Sequence, residues 1–364
     1  MIPISKPYIG DLEKKYLNEA LSSGWISSKG YFLDKFEEAF ANFIGTKYCI
    51  LTANGTVAIH LALMSMGINK DDEIIVPDLT FVASANAIVH CGAIPVIAEI
   101  DKSNWCLDVN KLKSQITNKT KAIMPVHIYG QAVNMTKVIE IAKEYNLKVV
   151  EDVAEAHGAI YNGNKLGSFG DASTFSFFAN KIITTGEGGS VMTNNETIYN
   201  EAKLLRDHAM DQNIKFWHPK VGYNYRMTNL QAAIGCAQIE QIDSFIYERE
   251  IILDLYRKNL KDINVSFNPI IEDSYSVNWL TSMLILDMNV SRDNLIKYLF
   301  TNGIESRPFF YPLSKLPMYK DINVENPIAD EISNQGINLP TYVGLTKTDI
   351  KFICDKIKEF FQNV

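Results

Sequence analysis

The sequence predicts an α/β protein in which a mainly parallel sheet covered by helices is followed by a smaller C-terminal α+β lobe. Three observations predict it. From Tyr48 onward, short apolar runs alternate with amphipathic stretches, a pattern that implies right-handed crossovers and a sheet covered on both faces. Near the end of a long helical stretch, roughly residues 229–260, that alternation gives way to a different order of elements. The chain also has 364 residues, more than twice a single domain of roughly 150. The expected division is a large lobe over 1–250 and a small one over 251–364, with the N-terminal segment packed on the small lobe.

Taken in order, residues 48–52, 73–76, 94–97, 122–126 and 148–151 read as short buried strands. Helical patterns over 57–66, 83–90 and 136–145 separate them. Beyond the long helix, 276–286 reads as a strand, 292–301 as a helix and 349–361 as a final helix. In such a sheet, ligands bind at the carboxyl edge, where strands end and helices begin.

Composition narrows the function. A net charge of −7 lacks the basic face that nucleic acid requires. Five scattered cysteines, never in a C-x-x-C pair, read as reduced thiols rather than a disulfide frame or zinc site. The six histidines show no His-x-x-x-His spacing, so no metal is expected. Residues 1–15 carry no apolar core, and no run approaches the roughly 20 apolar residues that span a bilayer. No membrane partner is expected, and the expected location is the cytoplasm.

Three segments carry chemistry. In Ser173-Thr-Phe-Ser-Phe-Phe-Ala-Asn-Lys181, a strand ends in hydroxyls, and a lone lysine precedes a glycine-dense loop ending at Gly189. Apolar neighbours Phe177, Phe178 and Ile182 would desolvate that amine and lower its pKa, as a nucleophilic amine requires. The same residues also fit a solvated lysine beside an ordinary turn. Asp152 follows a buried strand, where a carboxylate could keep a pyridine nitrogen protonated, and Glu155 lies one turn on. A helix N-cap with a capping glutamate fits those two residues as well. Finally, Asn54-Gly55-Thr56 turns from a strand into a helix whose free N–H groups suit an anion, or serves as a plain strand–helix turn.

In that chain order, the three segments resemble the pyridoxal 5'-phosphate (PLP) enzymes of fold type I, the aspartate aminotransferase superfamily. Over essentially its whole length the chain looks like the sugar-nucleotide aminotransferases of that group. The markers are Trp25-Ile-Ser-Ser-Lys-Gly30, Asn54-Gly-Thr56, Glu151-Asp-Val-Ala-Glu-Ala156, Lys181 with Thr185-Gly-Glu-Gly-Gly189, Tyr223-Asn-Tyr-Arg-Met-Thr-Asn229 and Glu305-Ser-Arg-Pro-Phe-Phe-Tyr-Pro312. The resemblance implies a mixed seven-stranded sheet and PLP held covalently by Lys181, which also shuttles the proton. It further implies that Asp152 meets the pyridine nitrogen, Glu155 lies near the ring hydroxyl, and Phe81 stacks on the ring. Asn54, Gly55, Thr56 and Ser176 would hold the phosphate, joined by Asn229 of a partner subunit, so that the active unit is a homodimer with shared sites. Arg307 would meet the diphosphate of a nucleotide sugar between apolar walls Phe309 and Tyr311, with Trp25 also near the substrate. The plainer alternatives are an N-cap for Asn229, a structural ion pair for Arg307 and core packing for the aromatics.

Ala179 stands where many relatives carry His, and Glu155 where many carry Gln. The chain looks most like the GDP-perosamine synthase branch. That branch implies amino transfer from L-glutamate to a GDP-linked 4-keto-6-deoxy sugar for O-antigen polysaccharide. A dTDP- or UDP-linked 4-keto-6-deoxy sugar is the alternative substrate, and a non-catalytic protein of the same fold the alternative class.

Overall fold

The computed structural model describes residues 1–211, 213–322 and 324–363. Its largest sheet has seven strands: β1 (Tyr48–Thr52), β2 (Glu73–Pro77), β3 (Ile94–Ala98), β4 (Thr120–Ile123), β5 (Lys148–Asp152), β6 (Ala172–Ser176) and β7 (Gly189–Thr193). Their order across the sheet is β1-β7-β6-β5-β4-β2-β3. Strand β7 runs antiparallel to β1 and β6, and the remaining neighbours are parallel. The sheet is therefore the mixed, mainly parallel one the sequence predicts.

Adjacent apolar residues along each strand part to opposite faces. Leu51, Ile75, Ile123, Val149 and Met192 join one core, while Ile50, Ile74, Ala122, Val150 and Val191 join the other. The first core is closed by α1 (Asp11–Ser22) and α2 (Tyr31–Ile44), by α5 (Met135–Glu144), and by α7 (Asn229–Ile239). The second is closed by α3 (Gly55–Ser65), α4 (Ala83–His90) and α6 (Glu196–Arg206). Strands buried on both sides can be apolar throughout, and that is why they read as continuous runs.

The second sheet has the order β8-β9-β11-β10, formed by β8 (Val265–Phe267), β9 (Thr281–Ile285), β10 (Arg307–Pro308) and β11 (Gly336–Leu339). Its core joins Met283, Ile337 and Leu339 to Leu295 of α9 (Arg292–Thr301) and Ile353 of α11 (Lys347–Gln362). Helix α10 (Pro327–Gln335) precedes β11, and α8 (Ile242–Asn259) runs across the 250/251 position. The N-terminal segment bonds to this part of the chain, through Ile2 N–H to Gly303 and Thr341 N–H to Ile4.

Three expectations about elements need correction. The helix expected over 229–260 is two, α7 and α8, parted at Glu240 and Gln241, whose backbones stay near helical angles and so leave the periodicity nearly unbroken. The strand expected over 122–126 ends at Ile123 because Pro125 has no N–H; pairing resumes at Val126, which bridges to Asp152. The strand expected over 276–286 begins only at Thr281, because 276–280 leaves the sheet and passes beside Lys181.

Candidate active site

A cavity of about 620 Å³ opens between the two sheets. From the large sheet it takes residues at the carboxyl ends of strands and the first turn of α3; from the small side it takes Trp279, Leu280, Arg307, Pro308, Phe310 and Asn338. This is the edge where the topology places ligands.

Lys181 sits in a turn after β6, its N–H donating to the Phe178 carbonyl at 2.9 Å. The side chain is only 11% exposed, with Nζ 3.6 Å from Glu155 Oε1 and 4.1 Å from the centroid of the Trp279 ring. Burial lowers the amine below its ordinary pKa, and the carboxylates of Glu155 and Asp152 oppose that shift. Burial likewise pushes the Glu155 carboxyl up to about 7 against the pull of Lys181 and of the Tyr129 N–H. That N–H donates to Glu155 Oε2 at 2.8 Å from a left-handed backbone (φ 49°). The next residue, Gly130 (φ 84°), admits no side chain, since a Cβ would stand 1.9 Å from the Val277 carbonyl oxygen.

Asp152 ends β5 and is 6% exposed. Its Oδ2 accepts from Ser84 Oγ at 2.7 Å and its Oδ1 from the Ala154 N–H at 3.1 Å. Asn54 caps α3, its Oδ1 accepting from the Val57 N–H at 3.0 Å. Gly55 lets that helix start against β6, because a Cβ there would meet the Ser176 Cβ at 2.8 Å. Phe81 stands half exposed at the cavity wall, its ring 5.6 Å from that of Phe310.

The structure thus brings Lys181, Asp152, Glu155, Asn54, Gly55, Thr56, Ser176, Phe81 and Arg307 to one cavity. Arg307 is half exposed, and its guanidinium donates to Glu305 Oε1 at 3.2 and 2.9 Å. Phe309 lies in the core against Tyr129 and Trp105, and Phe310 is the residue that lines the cavity. Tyr311 and Trp25 are exposed and line no part of it. Asn229 is buried and is not the N-cap of α7, a position Thr228 takes, with Gln231 completing a capping box. The Asn229 side chain instead holds the 25–32 segment, its Oδ1 accepting from the Phe32 N–H in the first turn of α2 at 3.0 Å and its Nδ2 donating to the Trp25 carbonyl at 2.7 Å.

Sequence reasoning missed Ser84, Tyr129 and Trp279. Ser84 had a signal, a hydroxyl three residues after Phe81 at the start of a helix; the other two had none, because they arrive from distant segments. Among the described residues no group of three or more His, Cys, Asp or Glu could hold a metal ion. His127 is bound to Glu151 at 3.2 Å, and His157 is buried among Phe40, Phe175 and Phe177, pushed down to about 3 chiefly by burial and so neutral at pH 7.

The residues present fit PLP. A close glycine-to-strand approach gives the first turn of α3 to the cavity, a held carboxylate ends β5, and a desolvated lysine faces both. A mixed seven-stranded sheet with this site at its carboxyl edge defines a PLP-dependent aminotransferase of fold type I. The chain belongs to the DegT/DnrJ/EryC1/StrS aminotransferase family, whose sequence profile matches residues 7–358. It is 44% identical over 362 residues to the GDP-perosamine synthase of Escherichia coli O157:H7, covering 100% of this chain and 99% of that one. Its fold matches Helicobacter pylori PseC, an aminotransferase of pseudaminic acid biosynthesis, with a TM-score of 0.95 at 27% identity over the full length of both chains. The PLP form of the putative sugar aminotransferase Spr1654 from Streptococcus pneumoniae matches with a TM-score of 0.93 at 27% identity, covering 100% and 99% of the two chains.

Proposed function

We propose that the chain transfers the amino group of L-glutamate to C4 of GDP-4-keto-6-deoxymannose, giving GDP-perosamine and 2-oxoglutarate, for surface polysaccharide such as O-antigen. One observation carries the reaction: the buried Lys181 amine and the Asp152 carboxylate open on the same cavity as the first turn of α3. The full-length identity to a GDP-perosamine synthase supports the choice of sugar.

When bound, PLP supplies an electron sink for the negative charge that develops at the reacting carbon. Each residue then has one task. Lys181 holds the cofactor covalently and afterwards accepts and returns a proton at Nζ, a task suited to an amine whose pKa burial has lowered. Asp152, fixed by Ser84, keeps a facing pyridine nitrogen protonated. Glu155 would meet the ring hydroxyl, Asn54, Gly55, Thr56 and Ser176 would hold the phosphate, and Phe81 would cover the ring. Arg307, whose planar fork now rests on one carboxylate oxygen, is free to turn to a diphosphate. The working unit is a cytoplasmic homodimer in which Asn229 serves the partner's phosphate site. The 1–250 lobe carries the cofactor, and the 251–364 lobe closes the cavity.

Two measurements test the reading. Borohydride reduction and peptide mapping should put the pyridoxyl group on Lys181, and Lys181→Ala should lose amino transfer; a label on another lysine would overturn the assignment. A panel of GDP-, dTDP- and UDP-linked 4-keto sugars, with glutamate as donor, should give the highest kcat/KM for the GDP sugar. A clearly higher value for another nucleotide ends the GDP reading and leaves the class intact.

A further inference from the structure

Trp279 lies on the 276–280 segment leading into β9 and is 3% exposed. Three contacts converge on it. Its ring faces the Lys181 amine at 4.1 Å from the centroid. Its Nε1–H donates at 2.8 Å to the Asn180 carbonyl, on the peptide that joins Asn180 to Lys181. Its own carbonyl accepts at 2.6 Å from Nη1 of Arg249, which also donates to the Thr341 carbonyl at 3.2 Å. Arg249 is itself 2% exposed, and burying a guanidinium costs free energy that these carbonyl bonds offset only in part. The Tyr129 ring lies nearly parallel to the indole, with ring centroids 6.2 Å apart.

We propose that Trp279 is a positioning residue of this site: its indole fixes the Asn180–Lys181 peptide and covers the amine with an aromatic face. The small lobe, through Trp279, thereby sets where Lys181 stands, and Arg249 holds Trp279 by its backbone carbonyl. The proposal rests on Lys181 as the cofactor-bearing residue. An amine that takes and returns a proton must hold its position to within a fraction of an ångström. The aromatic face favours the charged amine, as do Glu155 and Asp152 across from it, while burial favours the neutral one. The remaining titratable neighbours are His157, buried and neutral, and Arg249, which meets the Trp279 backbone carbonyl.

The test uses the full-length chain. With cofactor removed, trace acetic anhydride labelling across pH, read by peptide mass spectrometry, gives the titration midpoint of Lys181. Trp279→Leu keeps an apolar cover and loses the π face, so the midpoint should fall by about half a pH unit or more. Trp279→Phe keeps a π face and should hold the midpoint within about 0.2 unit. In the loaded enzyme, Trp279→Phe loses the bond to Asn180 and part of a buried ring; kcat should fall about tenfold with both KM values little changed, and the melting temperature should drop by no more than a few degrees. A Trp279→Leu midpoint equal to or above the native one, or a native kcat in Trp279→Phe, overturns the proposal. If Trp279→Leu does not fold, kcat of Trp279→Phe decides alone. Failure of Lys181 as the cofactor residue would appear separately, in the borohydride map of the native chain.

Discussion

Glu155 pairs a buried carboxyl with a buried amine at 3.6 Å, and its pKa of about 7 makes a stability experiment possible. Unfolded, the carboxyl titrates near its ordinary 4.5. Between roughly pH 4.5 and 7 the folded chain therefore binds more protons than the unfolded one, and stability falls as pH rises through that window. The full effect is at most about 3 kcal/mol. Glu155→Gln does not titrate, so the melting temperature of the cofactor-free variant should gain on the native chain from pH 5 to 7.5. Parallel pH profiles would mean that Glu155 does not ionise in that range. A second change at this scale is Gly55→Ala. Its Cβ would meet Ser176, push α3 off β6 and raise the dissociation constant for PLP by about tenfold, with the fold kept, as equilibrium dialysis would read. Lys181, Asp152 and Gly55 were legible in the sequence because their chemistry is local to a strand end. Tyr129 and Trp279 were not, since what makes them site residues is contact with Glu155 and Lys181 across more than 20 positions of chain.

Elements of the small lobe reach the cavity because two buried acids at the ends of large-sheet strands hold them there. Asp78, one residue past β2, accepts from the Ser314 N–H at 2.8 Å, from Ser314 Oγ at 2.7 Å and from Asn326 Nδ2 at 2.9 Å. Glu99, one residue past β3, accepts at 3.0 Å from the N–H groups of both Ile328 and Ala329 in the first turn of α10, where negative charge is favoured. Asp78→Ala leaves three donors without their acceptor and should destabilise by about 2–4 kcal/mol. Amide exchange over 313–335 should speed up, while α9 and α11 keep their protection. Unchanged exchange over 313–335 would remove the clamp from the account. Neither acid stood out in the sequence, where each reads as a polar residue after a strand. The buried strands were readable because two-sided burial makes each a continuous apolar run. The break between α7 and α8 was not, because near-helical angles at Glu240 and Gln241 carry the pattern across it.

At the scale of the molecule, the cavity belongs to both sheets, and other parts of the chain leave large apolar side chains in water. Trp25, Tyr31, Phe216, Trp217 and Val221 are each more than half exposed. A contiguous exposed apolar patch marks a surface that another chain covers. Asn229 lies outside the cavity of its own chain and beside the loop that carries Trp25, so a role at the phosphate requires the cavity of a second copy. A two-fold dimer makes the exchange reciprocal. Lys181→Ala and Asn229→Ala homodimers should both be inactive. In a mixed dimer, one site combines the native Lys181 of the Asn229→Ala chain with the native Asn229 of the Lys181→Ala chain. That site is intact, and the other lacks both residues. Co-expression with two different affinity tags, followed by tandem purification, isolates the mixed dimer free of both parents. Its kcat per dimer should approach half the native value. An inactive mixed dimer of verified composition would put Asn229 at work within its own chain, as an anchor of the 25–32 segment alone. Full activity of the Asn229→Ala homodimer would remove it from the site altogether.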